Sequence, residues 1–147
     1  MNIFSVFVII YFNFIKGLIL MKKVDSTVKK ETLYIFLFTV IFSVLMQSVY
    51  LVIGRWNLTV LWGNLLGVAA ATGNFFLMGL TVQNALGKEE KDAKNLMKIS
   101  QSLRMLMLFA VALVGYLVPF FNLVAVVIPF IFPRIAITLR ALLIKKQ

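Results

Sequence analysis

Three long uncharged stretches, Thr32 to Gly54, Trp56 to Gly87 and Met105 to Pro133, constrain this chain more than any other feature. Each exceeds the roughly 20 residues that cross about 30 Å of hydrocarbon as a helix. A hydrophobic fraction of 62%, a charged fraction of 14% and a mean hydropathy of +1.00 lie outside the range of soluble domains. The sequence therefore predicts an all-α membrane protein, a bundle of four transmembrane helices with spans near 34–53, 58–82, 105–120 and 123–144. No separate soluble domain is visible.

Several function classes fall away at once. Without cysteine or histidine the chain has no disulfide, thiolate or imidazole ligand, or histidine-dependent triad. Its five acids, Asp25, Glu31, Glu89, Glu90 and Asp92, all lie in polar segments between apolar runs. No intramembrane carboxylate is present for a proton relay or a bound cation. We expect no catalytic residue, metal ligand or cofactor.

The net charge of +10 follows from topology and needs no nucleic acid. With four spans and both termini cytoplasmic, the inner side receives Lys22, Lys23, Lys29, Lys30, Lys88, Lys91, Lys94, Lys98, Arg104, Arg140, Lys145 and Lys146. The outer side receives Arg55, and Lys16 and Arg134 stand apart. This is the asymmetry of the positive-inside rule, and such a surface attracts anionic lipids.

Residues 1–20 resemble a signal peptide in hydrophobicity but lack a basic start and a small-residue cleavage site. The codons for Lys16 and Gly17 must read AA(A/G)-GGN, purine-rich like a bacterial ribosome-binding site. Residues 1–20 are accordingly expected to be an upstream leader or an extra hydrophobic segment, with 21–147 as the membrane domain. Intact mass of the natural protein tests this.

The second span contains the least lipid-like surface. Gly63, Gly67 and Ala71 recur every four residues and form a stripe where another backbone can approach; Asn64 and Asn74 border it. Packing within the chain's own bundle and contact with another membrane subunit are both open. Gln47, the strongly polar residue of the first span, faces either a partner helix or the outer interface, where Trp56 and Trp62 fit an aromatic belt. "GKEEKDAKNLMKISQSLR", Gly87 to Arg104, is expected to be an amphipathic cytoplasmic connector on the membrane surface.

The last apolar region, "VVIPFIFPRIAITLR", raises a length problem. One helix from Met105 to Pro133 would be about 43 Å long and would leave the basic C-terminus outside. Either the last two spans form a short or re-entrant hairpin, or a fourth helix carries Arg134 within the membrane; the second is favoured. Pro129 and Pro133 each remove a backbone donor and free a carbonyl four residues earlier, so this face should turn from lipid. Pro129, Pro133 and Arg134 are thus the candidate buried polar seam, with Arg134 either a partner contact or a snorkelling anchor.

The order of "GNLLG" (63–67), "NFFLMGLTVQNAL" (74–86), "SLRML" (102–106) and "FNLVAVVIPFIFPRIAI" (121–137) resembles the bacterial ATP synthase subunit I family, over about Lys22 to Arg140. The resemblance implies an accessory protein of the F-type ATP synthase in the bacterial cytoplasmic membrane that assists assembly of the c-subunit ring. Its partners would be c subunits or other membrane-sector subunits; the resemblance assigns no contact residues, but the small-residue positions Gly63, Gly67, Ala71 and Asn74, read from the sequence, fit the close-packing face such a helper needs. The family is also linked with magnesium supply. A small ion-transport or channel-like protein is therefore the alternative, although Arg134 opposes a cation path.

Overall fold

The computed structural model describes residues 2–21 and 23–146. Helix α1 spans Ile3–Met21, α2 Ser26–Val52, α3 Leu58–Ala85 and α4 Glu90–Leu117. A short α5, Leu123–Val127, continues through a 3-10 turn, Ile128–Phe130, into α6, Phe132–Lys145. No strand occurs among the described residues. The segments α2, α3, α4 and Leu123–Lys145 are each long and apolar enough to cross a membrane, and the chain is an all-α, multi-pass bundle.

Local chemistry sets the helix ends. Asp25 caps α2, its carboxylate accepting the Thr27 N–H at 3.3 Å. Gly54 then turns the chain at φ 75°, in the left-handed region where a side chain would be strained. Asn57 caps α3 through the Val60 N–H at 3.1 Å. Pro119 forces Val118 into extended backbone, φ −96° and ψ 118°, and ends α4. Asn122 caps α5 by accepting the Ala125 N–H at 3.2 Å, while its own N–H donates to the Thr59 carbonyl at 3.1 Å. That last bond ties the turn before α5 to the start of α3.

Helix limits differ from the sequence expectation in two places. First, α2 begins at Ser26 rather than near Tyr34, because Asp25 caps it and "VKKET" continues the helix into water at no hydrogen-bonding cost. Second, residues from Glu90 to Arg104 are not a separate connector on the membrane surface. They are the leading turns of α4, since nothing between Gly87 and Pro119 breaks the helix. The continuous α4 is about 42 Å long at 1.5 Å per residue, with residues 105–117 as its uncharged part, and Leu123–Lys145 follows it as a further segment long and apolar enough to cross a membrane.

At the centre stands α3, in contact with every other helix and the 3-10 turn. Its buried residues include Val60, Gly63, Asn64, Gly67, Val68, Ala71, Leu80, Thr81 and Asn84. The outward faces are apolar instead, with Leu37, Ile41, Val44 and Leu45 on α2 and Leu106, Phe109 and Leu113 on α4. Large apolar groups outside and small or polar groups inside suit a bilayer, where burying a leucine gains nothing over lipid. Met46, Val60, Ala125 and Phe132 form the core cluster with Phe42, Tyr50 and Ile128 around it.

Gly54 and Gly73 give opposite expectations. Neither has atoms within 4 Å of an added Cβ, but only Gly54 has positive φ. Gly54→Ala should destabilise by about 1 kcal/mol through backbone strain, whereas Gly73→Ala should stabilise by up to about 1 kcal/mol through helix propensity. Thermal unfolding in mild detergent, followed by far-UV circular dichroism, checks both signs.

Candidate functional site

The stripe on α3 is occupied by the chain's own last span. A Cβ on Gly63 would lie 2.8 Å from the Asn122 carbonyl oxygen and 3.1 Å from its nitrogen. On Gly67 it would collide with the Val126 carbonyl and come within 2.9 Å of Pro129 Cγ. From the other side, a Cβ on Gly115 of α4 would meet Val126 Cγ2 at 2.9 Å. Val126, fully buried, is therefore wedged between two glycines on different helices, and Ala71 continues the stripe at 2% exposure. Of the two open readings of Gly63, Gly67 and Ala71, this geometry is packing within the bundle. These positions offer no free face.

Asn64 is buried beside α2, its amide donating to the Ser43 hydroxyl and, at 3.4 Å, to the Ser43 carbonyl. Its Oδ1 is enclosed without a hydrogen-bond partner among the described residues, as is Oδ1 of half-buried Asn74. Gln47 links the α2–α3 turn: its oxygen accepts the Trp56 indole N–H at 2.7 Å. The amide nitrogen lies 3.5 Å from the Val60 carbonyl. Trp56 and Trp62 are both exposed near this end.

The expected proline and arginine seam divides. Pro129 and Pro133 are buried, but the Arg134 side chain is exposed and takes no part in the interior. Pro129 falls in the 3-10 turn and Pro133 in the first turn of α6. For Pro133, at the start of α6, a missing N–H costs little, whereas Pro129 follows Ile128, whose N–H still donates to the Val124 carbonyl, and so withholds a donor from the Ala125 carbonyl. The chain thus meets its two prolines by restarting a helix, with the Ile131 N–H donating to the Ile128 carbonyl at 3.1 Å.

Three polar clusters escaped the sequence reading. Thr81 and Ser100, both buried, share a hydrogen bond of 2.6 Å between α3 and α4. Arg140 of α6 pairs with Glu31 of α2 and stacks over Tyr34, 4.8 Å from the ring centroid. Gln83 accepts the Asp25 N–H at 3.0 Å and donates to the Lys23 carbonyl at 2.8 Å. The last two gather the ends of α2, α3 and α6 at one basic end of the bundle; Lys22, counted with it, lies outside the described residues. One signal was available for Ser43–Asn64: the two residues are equidistant from the turn at Ile53 to Gly54, as facing residues of antiparallel helices must be.

Chemically the seam of Gly63, Asn64, Gly67, Ala71, Asn74, Val126 and Pro129 contains no titratable side chain and no nucleophile paired with a base. Among the described residues no group of His, Cys, Asp or Glu could hold a metal ion. What the arrangement can do is hold helices at close range and specify their register.

Gly67→Ala should destabilise the fold by about 1 to 3 kcal/mol, because the colliding atoms include backbone that cannot rotate away. Unfolding in detergent checks this, with Gly73→Ala as the open-space control. A double-mutant cycle with Glu31→Gln and Arg140→Leu should show a coupling of at most about 1 kcal/mol, because both partners are partly exposed.

Comparison of the chain with protein-family models, curated proteins and solved structures gave no significant match.

Proposed function

We propose that this chain is an accessory membrane protein of the F-type ATP synthase that assists assembly of the c-subunit ring. The observation that carries this reading is the ordered resemblance of "GNLLG", "NFFLMGLTVQNAL", "SLRML" and "FNLVAVVIPFIFPRIAI" to the ATP synthase subunit I family. Its support is of two kinds. The bundle interior is made of packing and hydrogen-bonding groups without a reactive constellation, as suits a helper of hairpin subunits. The outer faces of α2 and α4 are broad and apolar, as suits contact with membrane helices. On this reading Gly63, Gly67 and Ala71 act inside the protein, and partners meet other faces. The setting is the bacterial cytoplasmic membrane, with the basic end cytoplasmic and in reach of anionic lipids.

A second reading, small-ion and in particular magnesium transport, draws on one observation. Asn64 Oδ1 and Asn74 Oδ1 are enclosed oxygens without partners on α3. Against it stands the lack of any acid within the uncharged stretches Thr32 to Gly54, Trp56 to Gly87 and Met105 to Pro133.

Purification from native membranes in gentle detergent should recover c subunits with the protein, and its deletion should lower the yield of assembled ring. Recovery of no c subunit together with an unchanged ring would sink the assembly reading. Purified protein in liposomes should pass no more magnesium than protein-free controls; clear flux would promote the second reading. Because the chain has no cysteine, orientation is directly readable. An impermeant thiol reagent should label Arg55→Cys in intact cells and Lys91→Cys only after permeabilisation.

A further inference from the structure

Arg134 is a charge in an apolar stretch that the bundle leaves unpaired. It is the third residue of α6, its side chain is exposed, and its guanidinium has no hydrogen-bond or ion-pair partner among the described residues. Arg140, six residues later, is by contrast held by Glu31 and Tyr34. By helical rise Arg134 lies about 9 Å inward from Arg140 and about 16 Å from Leu123. Both separations place it inside hydrocarbon about 30 Å thick.

Two ordinary resolutions fit poorly. Snorkelling to the basic surface would require the side chain to run toward the C-terminus of α6, yet helical side chains lean toward the N-terminus. That lean takes the guanidinium deeper. Nor can a second copy of this chain neutralise it at that depth. Every acid of the chain lies in the polar segments, and Glu31 is already engaged by Arg140.

Around Arg134 the exposed face is apolar, with Val127, Ile131, Ile135 and Leu142 in helical register and Thr138 turned to its own backbone. The Thr138 hydroxyl donates to the Arg134 carbonyl at 2.9 Å, so it supplies nothing to the guanidinium. A lipid-compatible strip with one unpaired cation is complementary to an apolar helix with one carboxylate, because intramembrane charges pair with one another. We propose that this face of α5 and α6 docks a transmembrane helix of another protein that carries an aspartate or glutamate at the depth of Arg134. The proposal goes beyond the ATP synthase reading and stands without it, since it specifies a partner by charge and depth alone.

The test uses the full-length protein in phosphatidylcholine vesicles at pH 8 and a fluorescent leucine-alanine transmembrane peptide bearing one Glu about six residues from its basic end. Energy transfer reports association, and the same peptide with Gln is the reference. We expect the Glu peptide to bind roughly tenfold more tightly than the Gln peptide, with the preference lost in Arg134→Leu and Arg134→Gln and partly kept in Arg134→Lys. Equal binding of the two peptides overturns the proposal, as does a preference that survives Arg134→Leu. Association that instead follows added phosphatidylglycerol, without preference for Glu, assigns the guanidinium to lipid phosphate and also overturns it. Should Arg134→Leu fail to fold, moving the peptide's Glu two turns toward the opposite surface decides the matter. The preference must fall, and an unchanged preference refutes docking at this depth.

Discussion

The bundle depends on one close approach, that of the α3 backbone to the Asn122–Pro129 segment. In water, two apolar helices associate because both leave water; in lipid that gain is absent, and contact distance and hydrogen bonds must supply the attraction. Here Gly63 and Gly67 let Asn122, Val126 and Pro129 lie against α3, and Gly115 lets the same valine fit against α4. One fully buried Val126 is thus shared by three helical segments. Hydrogen bonds hold the register on either side: Asn122 N–H to Thr59 at the turn, Asn64 to Ser43 across α2, and Thr81 with Ser100 across α4.

The two prolines make this arrangement compatible with a second one. α5 packs on α3 and α4, whereas α6 packs chiefly on α2. Restarting the helix around the 3-10 turn lets one span serve both neighbours. Phe132, just past the turn, reaches Phe42 of α2 with ring centroids 5.5 Å apart and planes tilted by 39°, within the usual range of aromatic contact. Proline in this span therefore redirects the chain. The face it reorganises is packed by Val60, Ala125 and Phe132.

Charge sorts along the same axis. Gln83 binds the linker before α2, and Glu31 with Arg140 binds α2 to α6, so the lysine-rich segments converge at one end while Arg55 and the tryptophans mark the other. Arg134 belongs to neither end. Its position on the outer face, one helical stretch inward from a satisfied arginine, separates an anchoring role from a recognition role by depth and direction.

By itself the sequence determined the apolar, all-α character, four segments long and apolar enough to cross a membrane, and the charge asymmetry, because hydropathy over some 20 residues and the placement of lysines are sums that need no knowledge of neighbours. It also located Gly63, Gly67 and Ala71 as a close-packing stripe, since helical period places them on one face. Tertiary structure decided what lies against that stripe, which the period cannot name. It decided too that Glu90 to Arg104 extends α4, because a helix stops at a breaker such as Pro119 and not where polarity changes. Finally, it parted Arg134 from its two prolines. All three share a short sequence, but a residue's face is set by the helix restarting at Phe132, and that restart turns Pro129 and Pro133 inward and Arg134 outward.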